Sequence, residues 1–120
     1  MYCQRVGIGD KLKIHDYHTS ADKNVIKEYL QGLPKTERFV GYHIRHKLGS
    51  KGLAALEELD TRQLRDKLWE IKFLHHRYMY VIEDKNNFHI LHICKKQKGK
   101  AELFEIETAI KRAKELKLPL

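Results

Sequence analysis

The spacing of apolar residues changes from helical to alternating just past the middle of the chain, and this change restricts the fold more than any other feature. Trp69, Ile71 and Phe73 alternate with Glu70 and Lys72. Alternation with a period of two is typical of a strand that buries one face, with apolar residues inside and charged residues outside. The sequence therefore predicts that a β-sheet begins here.

Two more β-rich segments, residues 78–82 and 88–94, follow this strand. His75 and His76 are predicted to form the first turn, and the polar residues 84–87 supply the turn chemistry for the second. Strands joined by such short turns pair in antiparallel order. We therefore expect a three-stranded antiparallel meander.

Helical spacing of apolar residues flanks the meander on both sides. Ahead of it, one helix is predicted from an N-cap at Ser20 to Gly32, and a second helix from Thr36 to Gly49. After it, apolar residues repeat at helical intervals over residues 103–113. This repeat predicts a closing helix that packs against one side of the sheet.

The remaining segments carry weaker patterns. Residues 12–18 alternate loosely and are interpreted as a short strand, while residues 50–67 are interpreted as an irregular connector. A chain of 120 residues has the usual size of one compact domain. We therefore predict one α+β domain over residues 1–120, with an N-terminal strand, a helical pair, an antiparallel meander sheet and a C-terminal helix.

The chain carries a large excess of positive charge. It has 24 lysines and arginines against 16 acidic residues, a formal net charge of +8 and a pI near 9.5. Residues 61–120 alone hold 14 basic against 8 acidic residues. Such an excess indicates an anionic partner, with nucleic acid first among the candidates.

The cysteine content and the N-terminal sequence bear on the cellular compartment. Cys3 and Cys94 lie at opposite ends of the chain and have neither metal-ligand spacing nor the density of a disulfide scaffold. Residues 1–13 contain glycines and charges, so we predict neither a signal peptide nor a membrane span. The sequence therefore predicts a cytoplasmic protein.

Three short sequences in and beside the predicted meander carry a family resemblance. They are Leu-Trp-Glu-Ile-Lys at 68–72, Arg77 ahead of the second strand, and Lys-Lys-Gln-Lys at 95–98 after the third. With the order of the elements, they resemble the RelE/ParE superfamily of type II toxin–antitoxin systems, nearest its phage-associated HigB-like branch. The sequence departs from that branch at Lys72, where arginine is more usual. A tyrosine used by some RelE-type enzymes also has no clear counterpart, unless Phe104 occupies its space.

The resemblance implies a RelE-like fold and an endoribonuclease that cleaves mRNA on the ribosome without a metal or other cofactor. It also implies neutralisation by a cognate antitoxin, often a helix-turn-helix protein. In RNA, the 2′-hydroxyl attacks the neighbouring phosphate once its proton is removed, and the extra negative charge that develops needs preorganised cations. Lysine and arginine supply both functions.

Several basic residues take roles from this resemblance and chemistry. The residues expected in catalysis are Lys72, Arg77, His92, Lys95 and Lys96. The residues expected to bind the RNA backbone are Lys98 and Lys100. Lys72 and Arg77 are assigned to the phosphate. The lysines at 95, 96 and 98 are assigned to base, acid and RNA contact in some order.

Each of these residues also has an ordinary structural interpretation. Lys72 could be a solvated charge on the outer face of its strand, and Arg77 could pair with Glu70. The lysines of residues 95–100 could form a solvated loop. His92 alternates with apolar residues of its strand, so it is expected to face the same layer as they do. The residue patterns leave both interpretations open.

The eight histidines raise the question of a metal site. His89 and His92 are three apart on a predicted strand, so they are expected to point to opposite faces and not to share an ion. Only His43 and His46 could share a helical face, and no helix carries His-Glu-x-x-His. We therefore predict no metal site.

Two other functions compete with mRNA cleavage. A ParE-like toxin on the same scaffold would inhibit gyrase through protein contacts, and a basic module would bind nucleic acid without catalysis. The lysines of residues 95–100 favour the RNA-cleaving toxin over the gyrase inhibitor, while the missing tyrosine keeps the non-catalytic module open. The expected partners are mRNA on the ribosome and a cognate antitoxin, and no membrane.

Overall fold

The structure is a computed structural model that describes residues 12–120. Its strands are β1 (Lys13–Asp16), β2 (Asp60–Arg65), β3 (Leu68–Phe73), β4 (His76–Asp84) and β5 (Asn87–Lys95). Its helices are α1 (Val25–Gln31), α2 (Lys35–Lys51), a 3₁₀ helix (Gly52–Glu58) and α3 (Gly99–Glu115). The predicted α+β class and the order of the predicted elements are confirmed. Cys3 and nearly all of the N-terminal segment tested for a signal peptide lie outside the described residues.

One five-stranded sheet joins all the strands, in the order β1-β5-β4-β3-β2. Strands β2 to β5 pair antiparallel with their neighbours in sequence, so the predicted meander is confirmed and β2 extends it at one edge. At the other edge β1 lies parallel to β5, with Lys13 beside Asn87 and Asp16 beside Ile90. A parallel pair requires a long connection, and here α1, α2 and three strands lie between the two partners.

Helices cover both faces of the sheet. On one face, Leu30 of α1 and Leu48 of α2 belong to the same buried cluster as Tyr78 of β4. On the other face, Ala109 of α3 belongs to a second buried cluster with Leu91 of β5. A sheet buried on both faces encloses side chains that would reach water on an open sheet. Among residues 12–120, no helix is long and apolar enough to cross a membrane.

Gly41 allows α2 to approach α1 and the sheet closely. A Cβ atom at this position would lie 2.6 Å from Leu30 Cδ2 and 3.3 Å from the Tyr78 hydroxyl oxygen. That hydroxyl donates a 2.8 Å hydrogen bond to the Gly41 carbonyl oxygen. Glycine inside a helix costs about 1 kcal/mol relative to alanine, and close packing explains its use here.

Two helix boundaries differ from the predicted ones. Ser20 is not the N-cap, because α1 begins after Asn24, whose Oδ1 accepts a 2.9 Å hydrogen bond from the Lys27 N–H. Helix α2 does not stop at Gly49 but continues to Lys51, and the φ of 71° at the following Gly52 ends it. A left-handed φ favours glycine, whereas a glycine such as Gly49 remains helical when packing holds the helix.

The segment interpreted as an irregular connector is ordered, so that prediction is wrong. It contains the 3₁₀ helix and β2, which pairs with β3. Strand β2 reads DTRQLR, and only Thr61 and Leu64 are partly buried. Because an edge strand buries few side chains, its sequence shows no strong alternation. Residues 60–65 adopt the strand conformation because they pair with β3.

The turn before β4 lies one residue earlier than predicted. His76 already belongs to β4, so Leu74 and His75 form the turn. Leu74 has a φ of 54°, a left-handed conformation that residues other than glycine adopt infrequently. Arg77 is therefore the second residue of its strand and does not precede it.

Candidate active site

Lys72 and Arg77 are direct neighbours across the β3–β4 pair. Arg77 in turn lies opposite Cys94 of β5, and Lys72 lies opposite Asp60 of β2. Residues that lie opposite one another on antiparallel strands project to the same face of a sheet. The structure therefore brings these two predicted phosphate ligands together on the face covered by α3.

Arg77 is enclosed by acidic partners instead of being open to water. Its side chain is 3 % exposed, and its Nη1 lies 3.0 Å from Glu70 Oε1 and 2.8 Å from Glu102 Oε2. Arg62 contacts the same two carboxylates, with Nε 3.0 Å from Glu70 Oε2 and Nη2 2.9 Å from Glu102 Oε2. We call these residues the Arg77 network: Arg62, Glu70, Arg77 and Glu102.

The carboxylate of Glu102 is held by both arginines of the network. Hydrogen bonds from Arg77 and Arg62 keep the pKa of Glu102 below its usual value. The hydrogen bond to Glu102 raises the pKa of Arg62 in return. Glu102 lies in the first turn of α3, so it ties the start of this helix to β2 and β4.

The polar atoms of the network are not all satisfied. Glu70 is fully buried, yet within residues 12–120 neither of its oxygens accepts a well-aligned hydrogen bond, and the Nε of Arg77 has no partner there. The contacts of Glu70 are therefore close ion pairs without the angles of good hydrogen bonds. The buried Nε–H of Arg77 is therefore a donor that these described surroundings leave unused.

The depth of Glu70 overturns its predicted position on an outer, solvated face. Its neighbour Lys72 is only partly buried. Helix α3 covers this face of the sheet. Successive side chains of β3 therefore enter two buried layers in turn, instead of a core on one side and water on the other. The ordinary interpretation that Arg77 pairs with Glu70 is confirmed.

The predicted lysines lie at the same end of the sheet as Lys72 and Arg77. Lys95 ends β5, the Lys96 backbone N–H donates to the His75 carbonyl oxygen at 2.7 Å, and the last two lysines precede or begin α3. The exposed members of this group are Lys95, Lys96, Lys98 and Lys100.

Lys95 faces the other side of the sheet from Arg77. It lies opposite His76 in the β4–β5 register. Its positive charge contributes to the lowered pKa of Glu37 on α2, for which the hydrogen bond to His76 is the main cause. The structure therefore separates Lys95 from the face that carries Arg77.

His92 faces α3. The prediction that it faces the same layer as its apolar strand neighbours is therefore wrong. A bulge at Leu91 shifts the register between β4 and β5, so His92 lies opposite Met79. Its Nε2 lies 3.0 Å from Glu105 Oε1, and Arg112 Nη1 donates to its Nδ1 at 3.1 Å. Because arginine can only donate, Nδ1 accepts and the proton of the neutral ring sits on Nε2, which donates to Glu105. Both ring nitrogens are thus engaged.

The same bulge invalidates the facing argument for the pair of strand histidines. His89 lies opposite Val81, which belongs to the cluster under α3, so His89 and His92 share a face. They nevertheless have separate partners, because His89 contacts Glu83 Oε1 at 2.7 Å.

His92 should make the stability of the protein depend on pH. Burial lowers the pKa of His92 from its ordinary 6.5, so the folded state resists a proton that the unfolded chain accepts. Stability is therefore full above pH 6.5 and falls as the pH drops towards the lower folded pKa, by up to about 1.4 kcal/mol per pH unit. Urea unfolding of the wild type and His92→Gln between about pH 5 and 8 should show a flatter profile for the variant.

A matched control for this experiment is His43→Gln, since His43 is exposed on α2. The remaining histidines contribute equally to all three proteins, so the difference isolates His92. Identical pH profiles for the wild type and His92→Gln would contradict the assignment.

Sequence reasoning misses Glu102 as a partner of Arg77, and it misses Arg62 as a second arginine on the same carboxylates. Arg62 lies in the unrecognised strand β2, and Glu102 is one of several acidic residues on an amphipathic helix. Neither residue stands out locally, because the contacts join segments 25 to 40 residues apart in sequence. The position of Arg62 opposite Glu70 would have been a signal, but it can be used only once β2 is recognised as a strand.

A family comparison adds to this geometry. The model of a family described as phage-derived protein Gp49-like (DUF891) matches residues 28–114, which is well over half of the chain. The chain belongs to the Gp49-like family. This family is of toxin-like type, and the matched segment contains β2 to β5 and nearly all of α3, including the Arg77 network. No curated protein matches the Gp49-like chain.

Proposed function

We propose that this Gp49-like protein is the toxin of a type II toxin–antitoxin pair and cleaves mRNA on the ribosome. The observation that carries the proposal is the Lys72–Arg77 pair, held side by side at the end of the sheet where four exposed lysines cluster. Such a surface combines two cations for one phosphate with further cations for the RNA backbone.

The reaction proposed is attack of a 2′-hydroxyl on the adjacent phosphate. The bond to the 5′-oxygen of the next nucleotide breaks, and that oxygen takes a proton as the 2′-oxygen loses one. Arg77 and Lys72 stabilise the negative charge that builds up on the phosphate oxygens. Lys96 and His92 are the candidates for proton transfer, whereas Lys95 would have to act from the other face of the sheet, and Lys98 and Lys100 are the candidates for RNA contact.

The contacts of Glu102 support a way in which a phosphate would meet Arg77. Its carboxylate oxygen accepts from Arg77 and Arg62 together, at 2.8 and 2.9 Å. A phosphate oxygen has the same charge sign and the same acceptor chemistry, so the carboxylate stands in for the substrate. We infer that the RNA phosphate replaces Glu102 beside the two arginines, which requires the partly exposed Glu102 side chain to swing away.

A non-catalytic basic module is the second candidate function. The burial of Arg77 at 3 % exposure favours it, because a catalytic cation must reach its substrate. In that case the Arg77 network would only join α3 to the sheet. The two functions differ in whether RNA is cut, and the nature of the product ends after translation in vitro separates them. A gyrase-inhibiting toxin would leave mRNA intact and block supercoiling instead.

The proposed partner is a small antitoxin encoded next to this gene. Expression of the chain alone should arrest growth, and co-expression of the neighbouring small reading frame should restore it. Normal growth at high soluble expression would count heavily against the toxin assignment. A helix-turn-helix sequence in that reading frame would support the toxin class, and a ribosome-bound substrate implies action in the cytoplasm.

The affinity for single-stranded RNA should fall with salt concentration. Each lysine–phosphate contact releases condensed counterions, so the logarithm of the affinity changes with the logarithm of salt by roughly −0.7 per contact. Lys98→Ala/Lys100→Ala should therefore reduce the slope by about 1.4. Fluorescence anisotropy on a labelled RNA oligomer at several salt concentrations measures this slope.

Lys85→Ala provides the matched control for the salt experiment. Lys85 is exposed in the turn between β4 and β5, at the opposite end of the sheet. Its removal lowers the net charge without touching the proposed site and should leave the slope unchanged. Equal slopes for Lys98→Ala/Lys100→Ala and the wild type would remove these lysines from the interface.

A further inference from the structure

A second group of chemically reactive side chains lies on the other face of the sheet. His76 Nε2 lies 2.6 Å from Glu37 Oε1, and His75 Nε2 lies 3.2 Å from the same oxygen. Glu37 belongs to the first turn of α2, whereas the histidines come from the β3–β4 turn and the start of β4. Two imidazoles thus converge on one carboxylate oxygen supplied by a distant segment.

We propose that Glu37, His75 and His76 form a binding site for one Zn²⁺ ion. The three ligand atoms all lie within 4.8 Å of one another. A tetrahedral zinc with bonds near 2.1 Å separates its ligand atoms by about 3.4 Å, so small side-chain adjustments admit the ion. Two imidazoles and one carboxylate suit zinc, whereas magnesium and calcium prefer oxygen ligands.

Tyr29 supplies the outer contact that a zinc-binding histidine requires. Its hydroxyl lies 2.9 Å from His76 Nδ1, and its ring meets the imidazole edge-on at 5.6 Å. The other nitrogen of a metal-bound histidine is normally held by such a partner, which orients the ring. With zinc on Nε2, the proton of His76 sits on Nδ1 and is donated to the Tyr29 oxygen.

The site combines a fixed side and an open side. His76 is fully buried, Glu37 is 22 % exposed and His75 is 60 % exposed. The left-handed conformation of Leu74, with φ of 54°, turns the chain so that the two imidazole rings lie 4.2 Å apart. The ion can therefore enter from solvent, and water can fill the fourth position.

Charges around the site act in both directions. Glu37 supplies the negative charge, and Lys95 is close enough for its positive charge to lower the pKa of that carboxylate. Lys95 opposes a cation but is exposed, so it can turn away. A second cluster, formed by His92, Cys94 and Glu105, is less suitable because zinc on His92 Nε2 would place the ring proton on Nδ1, where Arg112 already donates.

Bound zinc would join the start of α2 to the β3–β4 turn and stabilise the fold. It lies on the face opposite Arg77 and takes no part in RNA cleavage. The inference is therefore independent of the proposed function.

The test is calorimetric titration of the full chain, freed of metal by a chelator, with zinc chloride. We expect one ion per chain, a Kd below about 10 µM and a higher melting temperature. Glu37→Gln and His75→Ala should each weaken binding by at least about 10-fold, and Tyr29→Phe by about 10-fold. The two ligand variants alter partly exposed side chains, so they should remain folded, which circular dichroism checks.

The controls use histidines outside the site. His43→Ala and His46→Ala change exposed residues of α2 and should bind zinc like the wild type. His92→Gln tests the second cluster in the same way. The proposal is overturned if folded Glu37→Gln and His75→Ala bind zinc as the wild type does, if a control loses the binding instead, or if the wild type binds no zinc in this range.

Discussion

Arg77→Ala is expected to lower the rate of mRNA cleavage on programmed ribosomes by about 10²-fold or more. The guanidinium lies beside Lys72, and the proposed mechanism assigns it to charge that develops only in the transition state. A group of this kind affects cleavage far more than binding, so ribosome affinity should change little. Primer extension on ribosome-bound mRNA measures the rate, and co-sedimentation measures the affinity.

The Arg77 experiment must separate catalysis from folding, because Arg77 also balances a buried carboxylate. Arg77→Ala leaves Glu70 with Arg62 as its one remaining ion-pair partner in the described part of the chain, whereas Glu70→Gln/Arg77→Ala removes both charges. Both variants should be inactive, and the double variant should lose less stability. Lys85→Ala should cut at the wild-type rate.

Two further outcomes bear on the same assignment. Glu102→Gln removes the carboxylate that competes with the RNA phosphate, so cleavage should be retained or faster. A folded Arg77→Ala protein that cuts mRNA at the original rate would show that this face is not the active site.

Arg45→Ala is expected to cause the largest loss of stability, about 3–5 kcal/mol in the free energy of unfolding. Arg45 of α2 forms a two-pronged ion pair with Asp16 of β1, with N–O distances of 2.7 and 2.8 Å. Their side chains are 12 % and 4 % exposed. Truncation of the arginine leaves the buried Asp16 with Asn24, which donates to Oδ2 at 3.0 Å, as its remaining side-chain partner. Urea unfolding monitored by circular dichroism gives the free energy.

Two variants test the physical reason for this loss. Asp16→Leu/Arg45→Met removes both charges and keeps apolar volume, so it should cost much less than Arg45→Ala. Arg38→Ala, on the same helix, removes a guanidinium that makes one 3.5 Å contact with a backbone carbonyl, and should change stability by less than about 0.5 kcal/mol. If Arg45→Ala is as stable as Arg38→Ala, the buried pair is not what joins β1 to α2.

Local patterns predicted the helices and strands whose apolar side chains recur at regular intervals along the sequence. Alternation at Trp69, Ile71 and Phe73 correctly predicted β3, and the helical repeat over residues 103–113 correctly predicted α3. Strand β2 was not predicted because it buries few side chains, so its sequence lacks the alternation of apolar and polar residues that indicates a strand. The bulge at Leu91 reversed the predicted face of His92, since one extra residue in a strand shifts every later side chain.

The family resemblance assigned Lys72 and Arg77 to one phosphate, but their pairing across β3 and β4 follows from a turn one residue earlier than the predicted one. Their surroundings could not be predicted, since Glu102 of α3 and Arg62 of β2 complete the Arg77 network, and the partners of His76 come from α1 and α2. Each of these contacts exists only after the helices have covered the two faces of the sheet. No short-range pattern encodes them.

The sequence by itself determined the α+β class, the order of helices and strands, the antiparallel meander and the positive charge at one end of it. These features follow from local periodicity, turn residues and charge counts, all of which act between neighbours in the chain. Only the tertiary structure decided that Glu70 and Arg77 are enclosed, that Lys95 faces away from Arg77, and that Glu37 meets two histidines. Those outcomes depend on which distant segments pack together, because burial and ion pairing are properties of the folded contacts and not of any one segment.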